Sequence, residues 1–296
     1  MIQDLKPHTF LNEFRLQAPK DTDYLLIFNG AKVLMNSKDN KFSLTSVKQI
    51  KSLNQKTLKS AIYLFSLDDT AIFYTRETLE ESDDFVYVSA MDLREKLPKD
   101  IVFIAATAGH LVSWYGTNKF CGRCSTEMQF SKTERAVCCP KCGLVKYPQI
   151  SPAVIVGIIH NDKILLTRYS DRPYKKLSLV AGYIEIGETL EDTIKREVME
   201  EVGLKVKNIK YYKSQPWAFS QSVLMGFFAQ LDGDPTVTVD ESELSEATWY
   251  SRDEIPECDT NLSLTNEMIT VFKNGEVKDS RDIGKEEISV FVPNVN

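Results

Sequence analysis

Three glutamates lie close together between residues 197 and 201, at a spacing that suits metal binding. Residues three or four apart share one face of an α-helix, so Glu197, Glu200 and Glu201 should point the same way. Exposed pairs of like charge at this spacing destabilise a helix by roughly 0.3 kcal/mol each. Carboxylate oxygens are the ligands that hard divalent cations prefer. The pattern therefore allows two interpretations, a solvated acidic surface or a site for a divalent cation.

The helix that carries these glutamates should also have an apolar face for burial. Thr189 and Asp192 are spaced as in a weak capping box, and Gly203 is a typical residue at a helix C-terminus. These signals predict a helix from residue 189 to residue 202. Its apolar side chains recur every four residues, at Leu190, Ile194, Val198 and Val202.

Four cysteines form a second group with metal-ligand spacing. They make two C-x2-C pairs separated by fourteen residues, and two such knuckles supply the four sulfurs of a tetrahedral zinc site. A closed site of this kind is structural, because it keeps no position open for a substrate. A nucleic-acid-reading zinc ribbon is the alternative, and the acidic chain disfavours it. The expected ligands are Cys121, Cys124, Cys139 and Cys142.

Neighbouring residues refine this prediction. Gly122 and Gly143 stand where knuckle turns favour a positive φ, so we expect that conformation at both. Cys138 fits the knuckle spacing less well than the adjacent Cys139 and is expected to take no part. Cys258 is distant in sequence and is expected to be an ordinary thiol.

Length and composition limit the classes of protein that the chain can belong to. Its 296 residues suit two domains, or two with a small module, and 43% hydrophobic with 26% charged residues is typical of a globular protein. A formal charge of −6 disfavours sequence-independent binding of long nucleic acid. No apolar stretch reaches membrane-span length, and the first residues lack the apolar segment of a secretory signal. A cytoplasmic location is therefore expected.

Alternation of apolar and turn-forming residues predicts the other elements. Strand-like stretches cover residues 24–28, 31–34, 61–65, 70–74 and 85–88, and a helix follows from 101 to about 114. After the cysteines, strands are predicted at 153–159, 163–168, 178–183, 209–213, 223–230 and 247–250, with a helix near 264–273. Strands alternating with helices in this way indicate an α+β protein with a mixed sheet flanked by helices.

The acidic segment resembles the Nudix box, in which Gly, five residues, Glu, seven residues and an Arg-Glu-apolar-x-Glu-Glu-x-Gly-apolar stretch follow one another. Nine constrained positions over 23 residues agree, which makes a chance match implausible. The family resemblance implies a strand–loop–helix motif inside an αβα sandwich. The matching residues are Gly182, Glu188, Arg196, Glu197, Val198, Glu200, Glu201, Gly203 and Leu204.

The same resemblance implies catalytic roles. Glu197, Glu200 and Glu201 would coordinate Mg2+ or Mn2+, which activate water and neutralise a pyrophosphate. Glu188 would support the loop or join the metal network, and Arg196 would orient a carboxylate through a bidentate contact. The further metal ligands implied are the carboxylate of Glu243 and the carbonyl of Ala181.

A segment downstream of the box resembles the signature of the NADH pyrophosphatase branch, Ser-Gln-Pro-Trp-Pro-Phe-Pro-x-Ser. Ala218 and Ser220 replace two of its prolines, which makes the segment less rigid and puts substrate preference in doubt. The resemblance implies that Tyr147 and Tyr183 stack on a base or nicotinamide ring, with Thr265 as a weaker pocket residue; packing of these side chains is the alternative. The implied pocket residues of the signature are Gln215, Pro216, Trp217, Ala218, Phe219, Ser220, Gln221 and Ser222.

Together these resemblances imply an N-terminal α+β domain (1–117), a four-cysteine zinc ribbon (118–146) and a Nudix domain (147–296). The implied reaction is hydrolysis of NADH or NAD+ to AMP and NMNH or NMN, in a homodimer, with Mg2+ or Mn2+ as catalytic metal and structural Zn2+. Removal of NAD caps from RNA 5′ ends and hydrolysis of ADP-ribose are the alternatives within the same chemistry. A nucleotide-sensing binding protein is the alternative from another class.

Overall fold

The chain divides into two units, each with its own sheet and apolar core. A computed structural model describes residues 1–38, 41–170, 176–257, 262–277, 279 and 281, and of residues 55 and 56 it describes the backbone only. Residues 2–150 and 217–221 form the N-terminal unit. Met1 and the remaining described residues form the C-terminal unit. Cys258 lies outside the described residues, so its predicted role as an ordinary thiol stays a prediction.

Seven strands pair into the sheet of the N-terminal unit, in the order β1-β5-β6-β2-β3-β4 with β7 beside β3. All five strands expected from sequence are present, within one or two residues of their predicted bounds. The short β1 and β4 were not expected, because two residues carry no readable periodicity. The strands are β1 (Phe10–Leu11), β2 (Tyr24–Asn29), β3 (Lys32–Asn36), β4 (Ser43–Leu44), β5 (Ile62–Leu67), β6 (Thr70–Thr75) and β7 (Phe85–Ser89).

Three helices accompany this sheet: α1 (Val47–Leu53), α2 (Ala90–Leu93) and α3 (Lys99–Thr117). The sequence predicted α3, whose buried side chains pack into the core, but not α1. Ser46 and Gln49 form a capping box at the start of α1, a signal that was available in the sequence. No described helix combines the length and apolar character that crossing a membrane requires.

The cysteine segment folds as a small three-stranded sheet ordered β10-β9-β8. Its strands are β8 (Gln129–Phe130), β9 (Val137–Cys138) and β10 (Val145–Lys146). Gly143 has the expected positive φ of 72°, but Gly122 does not, so that expectation was wrong. The matching position in the first knuckle is Ser125, with φ 57°, because each turn becomes left-handed at the residue after its second cysteine.

The C-terminal unit contains a mixed sheet between two helices. Its elements are β11 (Ser151–His160), β12 (Lys163–Tyr169), β13 (Val180–Tyr183), α4 (Leu190–Val202), β14 (Val206–Trp217), β15 (Ser222–Leu231), β16 (Leu244–Ser251) and α5 (Leu264–Lys273). The sheet order is β14-β15-β11-β12-β16, with β13 beside β11. Strands β11 and β15 run parallel, and the other neighbours of β11 are antiparallel.

Alternation along β11 explains the layers. Ile155 and Ile159 belong to one apolar cluster, together with Phe272 of α5. Val156 lies in a second cluster, which contains Val198 of α4. Since successive side chains of a strand point to opposite faces, α5 and α4 cover opposite faces of the sheet. The αβα sandwich predicted from sequence is therefore present in the C-terminal unit.

Candidate active site and zinc site

The acidic face of α4 contains one carboxylate that is almost wholly removed from solvent. Glu201 is 3% exposed, and the backbone N–H of Ala181 in β13 donates a hydrogen bond to its carboxylate. Its Oε2 atom has no hydrogen-bond partner among the described residues. A buried polar atom without a partner costs free energy. A cation bound at this oxygen would remove that cost.

The carboxylate of Glu197 lies against the backbone of β13, at Gly182. A Cβ atom placed on Gly182 would come within 1.9 Å of Cδ and 2.0 Å of Oε1 of Glu197. Only glycine leaves the space for this approach. The first glycine of the acidic motif therefore serves to bring a carboxylate of α4 up to the strand.

Arg196 is the cation that holds the loop and the start of α4 together. Its Nε and Nη2 atoms donate to Oε1 and Oε2 of Glu188, at 2.6 Å and 2.9 Å. Its Nη1 donates to Glu197 at 2.7 Å and to Glu200 at 3.0 Å, and its Nη2 also donates to the carbonyl of Tyr183. A planar guanidinium suits such a fork. The predicted bidentate contact is present, and its partner is Glu188.

Glu188 is also tied to the loop that precedes α4. It accepts hydrogen bonds from the backbone N–H of Glu185 at 3.1 Å and from the hydroxyl of Thr193 at 2.9 Å. The bonds from Arg196, followed by these two, lower the pKa of Glu188 to about 2. Of the two roles considered for Glu188, these contacts favour support of the loop. Thr193 was not singled out from sequence, where no spacing rule marks it.

The carboxylates deeper in the cluster behave in the opposite way. Burial, together with the charges of Glu197 and Glu243, raises the pKa of Glu201 to about 8. Burial also raises the pKa of Glu197, although Arg196 opposes the change. The fold thus brings Glu243 close enough to Glu197 and Glu201 to disfavour the negative charge of those two carboxylates. Such a group is chemically suited to a divalent cation, because the cation reverses the sign of the local potential.

The two remaining acidic-site candidates are more open to solvent. Glu200 points outward with 58% of its side chain exposed, and its contact is with Arg196. Glu243 is exposed in the loop before β16, and its backbone carbonyl accepts a hydrogen bond from Ser170. Both carboxylates are thus accessible to a cation from solvent.

The residues of the downstream signature are divided between different environments. Gln215 is fully buried, and its amide accepts from the N–H of Leu264 at 2.7 Å and donates to the carbonyl of Leu262 at 3.0 Å. These bonds favour a role in anchoring the start of α5 over contact with a substrate. Ser222, at the start of β15, is 2% exposed.

Residues 217–221 of the signature belong to the N-terminal unit, whereas Pro216 belongs to the C-terminal unit. Ala218, Phe219 and Ser220 form a 3₁₀ turn that contacts α3. The rings of Trp217 and Phe219 meet edge to face, with centroids 4.9 Å apart. The side chain of Gln221 donates to the hydroxyl of Ser113 at 3.1 Å.

The two tyrosines proposed for stacking are both exposed, at 54% for Tyr147 and 52% for Tyr183. The hydroxyl of Tyr147 donates to Glu134 at 3.1 Å. Thr265 lies half-buried in the first turn of α5. About half of each tyrosine is therefore accessible to a ligand.

Four cysteines converge as the knuckle spacing predicted. The Sγ atoms of Cys121, Cys124, Cys139 and Cys142 all lie within 4.8 Å of one another. The pairs Cys121–Cys142 and Cys124–Cys139 are 3.5 Å and 3.4 Å apart. Tetrahedral zinc with Zn–S bonds of about 2.3 Å would need sulfurs about 3.8 Å apart, so the cluster fits zinc closely. Cys138 stays outside the cluster, as expected.

Hydrogen bonding already favours the metal-binding form of one cysteine. The hydroxyl of Thr126 lies 3.4 Å from Sγ of Cys124. This contact, with a backbone N–H of the same residue, lowers the pKa of the Cys124 thiol to about 6. A thiolate is the form that binds a metal.

Comparisons with known proteins agree with this geometry. Residues 150–272 match the family model described as the NUDIX domain. This part of the chain is therefore similar to the NUDIX domain family. The match begins at the start of β11 and ends within α5, so it covers the sandwich and the acidic face of α4.

Curated relatives match the chain over about half of its length. The chain is 43% identical over 167 residues to the NAD-capped RNA hydrolase NudC of Shigella boydii, covering 55% of this chain and 64% of that protein. It is 45% identical over 154 residues to the protein of the same name in Escherichia coli, covering 52% and 59%. The matched region thus spans about three-fifths of these relatives.

The solved structures that resemble this chain also include NUDIX hydrolases. One from Nitrosomonas europaea is 24% identical, has a TM-score of 0.47, and covers 55% of this chain and 95% of its own. An ADP-ribose pyrophosphatase from Streptococcus suis is 20% identical, with a TM-score of 0.33, and covers 43% and 92%.

Proposed function

We propose that the chain is a metal-dependent hydrolase that cleaves the pyrophosphate bond of NADH or NAD+, giving AMP and NMNH or NMN. The observation that carries the proposal is the buried Glu201 carboxylate, whose Oε2 has no described partner, beside Glu197 and Glu243. The NUDIX domain and the NudC relatives support the pyrophosphate chemistry. The downstream signature supports a dinucleotide substrate.

The residues that would hold Mg2+ or Mn2+ are Glu197, Glu200, Glu201 and Glu243, with the carbonyl of Ala181. A bound divalent ion supplies charge neutralisation for the diphosphate and acidifies a water molecule. Arg196 keeps Glu197 and Glu200 oriented, and its pairing with Glu188 fixes the loop before α4. Glu201, because burial raises its affinity for a proton, is our choice for the carboxylate that accepts the proton of the attacking water.

The wider assembly is also a proposal. The four-sulfur cluster is chemically suited to structural Zn2+. The exposed rings of Tyr147 and Tyr183 are our candidates for stacking on a base or nicotinamide, with Trp217 and Phe219 as further aromatic contacts. A homodimer in the cytoplasm is the assembly and location that we propose.

Incubation of purified protein with NADH and Mn2+, followed by chromatographic identification of products, tests this function. We expect AMP and NMNH in equal amounts. Glu201→Gln should lower turnover by at least ~100-fold, because it removes both a metal ligand and a proton acceptor. Glu191→Gln is the matched control, since Glu191 is exposed in the first turn of the same helix. A protein inert toward NADH, NAD+, ADP-ribose and diadenosine compounds would refute the proposal.

Removal of NAD caps from RNA 5′ ends is the second candidate function. The observation that favours it is the identity of 43–45% to proteins named NAD-capped RNA hydrolase. The bond cleaved would be the same, so the acidic site does not distinguish the substrates. Parallel measurement of kcat/KM on NADH and on a 5′-NAD-capped RNA decides between them. A large preference for free NADH would reject capped RNA as the main substrate.

A further inference from the structure

Positive charge is concentrated in the cysteine segment, although the chain as a whole is acidic. Residues 118–150 contain six Lys or Arg and two Glu, a net charge of +4, whereas the full chain carries −6. Four thiolates with one bound Zn2+ carry a net charge of −2, which would leave the segment with a net charge of +2. Charges interact over a screening length of about 8 Å at physiological salt, so local charge governs contacts with a polyanion. The segment's cations are Lys119, Arg123, Lys132, Arg135, Lys141 and Lys146.

The two knuckles repeat one backbone turn and place basic residues at equivalent positions. In the first, the N–H of Ser125 donates to the carbonyl of Cys121 at 2.8 Å; in the second, Gly143 donates to Cys139 at 3.0 Å. Arg123 and Lys141 each precede the second cysteine of their knuckle, and both are exposed. Since the four sulfurs lie within 4.8 Å of one another, the two turns are held side by side.

An exposed aromatic ring adjoins the first knuckle. Phe120 directly precedes Cys121 and is 66% exposed, and Lys119 beside it is exposed too. The backbone here is fixed, because the N–H of Met128 donates to the carbonyl of Lys119 at 2.9 Å. Lys119, Arg123 and Lys141 form no ion pair with any described residue, so their charges are available to a ligand. We call Lys119, Phe120, Arg123 and Lys141 the knuckle patch.

We propose that the knuckle patch binds single-stranded RNA. Three cations that form no ion pair within the described part of the chain suit phosphate groups, and an exposed phenyl ring suits an unstacked base. Duplex RNA would offer no free base to Phe120, so a single strand fits the patch better. An apolar protein partner fits less well, since the ring is surrounded by charge. The inference rests on the proposed removal of NAD caps, for which it supplies a surface that holds the RNA chain.

Fluorescence anisotropy with a labelled 5′-NAD-capped single-stranded RNA of about 20 nucleotides tests the proposal on the full, zinc-loaded chain. Arg123→Ala/Lys141→Ala should weaken binding about tenfold and reduce the slope of log K against log salt by about 1.4, since each lost phosphate contact on a single strand contributes about 0.7. Phe120→Ala should weaken binding about tenfold with an unchanged slope. All variants should keep the kcat/KM of the parent on free NADH.

Lys48→Ala/Lys59→Ala is the matched control, because it removes two exposed cations of the N-terminal unit outside the cysteine segment. It should bind RNA like the parent protein. Equal RNA affinity and salt dependence in the parent and the knuckle-patch variants would overturn the proposal, as would an effect of the control as large as that of Arg123→Ala/Lys141→Ala. So would a parent protein that hydrolyses NADH but does not bind RNA at low salt. A parent protein inactive on both substrates instead refutes the proposed function, while RNA binding through the patch remains measurable.

Discussion

A single carboxylate, that of Glu201, lies in a place where its charged form is poorly accommodated. Burial raises its pKa to about 8 from a value near 4.5 in an exposed chain, and Glu197 and Glu243 add repulsion. The group therefore keeps its proton in the metal-free folded protein at a pH where the unfolded chain has lost it. Its contribution to stability is complete below about pH 4.5 and is lost as the pH rises through about 8.

The consequence is a measurable pH dependence. In buffer free of Mg2+ and Mn2+, the melting temperature of the parent protein should fall between about pH 5 and pH 8. Glu201→Gln has no carboxyl group to ionise at this position, so its melting temperature should fall less over the same pH range. At about pH 8.5 the variant should melt above the parent protein. Mn2+ should stabilise the parent at that pH and leave the variant nearly unchanged. If the melting temperatures of the two proteins change with pH in the same way across this range, the environment assigned to Glu201 is wrong.

Residue types and spacing revealed the acidic group and the four thiols, but not how each is held. The spacing of Glu197, Glu200 and Glu201 predicted a shared helix face. It did not predict that Glu201 would be buried while Glu200 is 58% exposed, because burial depends on the neighbouring strand. The anchoring contacts of Gln215 with residues 262 and 264 were equally inaccessible, since they join positions nearly fifty residues apart.

Helix α4 illustrates how well local signals can define an element. Thr189 accepts a hydrogen bond from the N–H of Asp192, and Gly203 ends the helix with φ 68°, as the sequence indicated. Strand β14 is the opposite case. Only residues 209–213 were expected, yet the strand runs from Val206 to Trp217. Most residues that flank the predicted stretch are polar or basic, namely Lys207, Asn208, Ser214 and Gln215, so their strand conformation comes from pairing with β15 and not from an apolar pattern.

The approach of α4 to β13 gives a prediction at the scale of elements. Gly182→Ala would place a methyl group on the Glu197 carboxylate, so the helix or the glutamate must move. We expect a loss of stability of about 1–3 kcal/mol and a weaker response of the melting temperature to Mn2+. Hydrolysis of NADH should fall by roughly 100-fold, because a small displacement of a catalytic group is costly.

Gly116→Ala is the corresponding control, measured by the same melts and assays. Gly116 lies in α3, and a Cβ there would meet no atom within 4 Å. Alanine in a helix is favoured over glycine by up to about 1 kcal/mol, so this variant should be as stable as the parent or more so. If Gly182→Ala behaves like Gly116→Ala, the close approach of strand and carboxylate has no functional importance.

Each of the two units has apolar clusters of its own, and the cysteine segment contributes to one cluster of the N-terminal unit. Val137 and Met128 of that segment belong to the same apolar cluster as Trp114 and Tyr115 of α3. The sequence separated residues 118–146 as a module of their own, a division that stays a prediction. The cluster shared with α3 could not be predicted from the sequence, because the few apolar residues of the cysteine segment show no periodicity that would assign them to a neighbouring element.

A zinc ion at the cysteine cluster would then stabilise more than the short strands around it. We expect one zinc ion per chain in the parent protein by mass spectrometry. Cys142→Ser should lose this ion and melt several degrees lower, since the ion is bound only by the folded segment. Cys138→Ser should keep its zinc and its melting temperature, because Cys138 lies outside the four-sulfur cluster. Because Cys121 and Cys139 are buried members of the cluster shared with α3, loss of zinc should also increase amide hydrogen exchange in that helix. Increased exchange confined to residues 118–146 would mean that the ribbon folds independently of the helix it contacts.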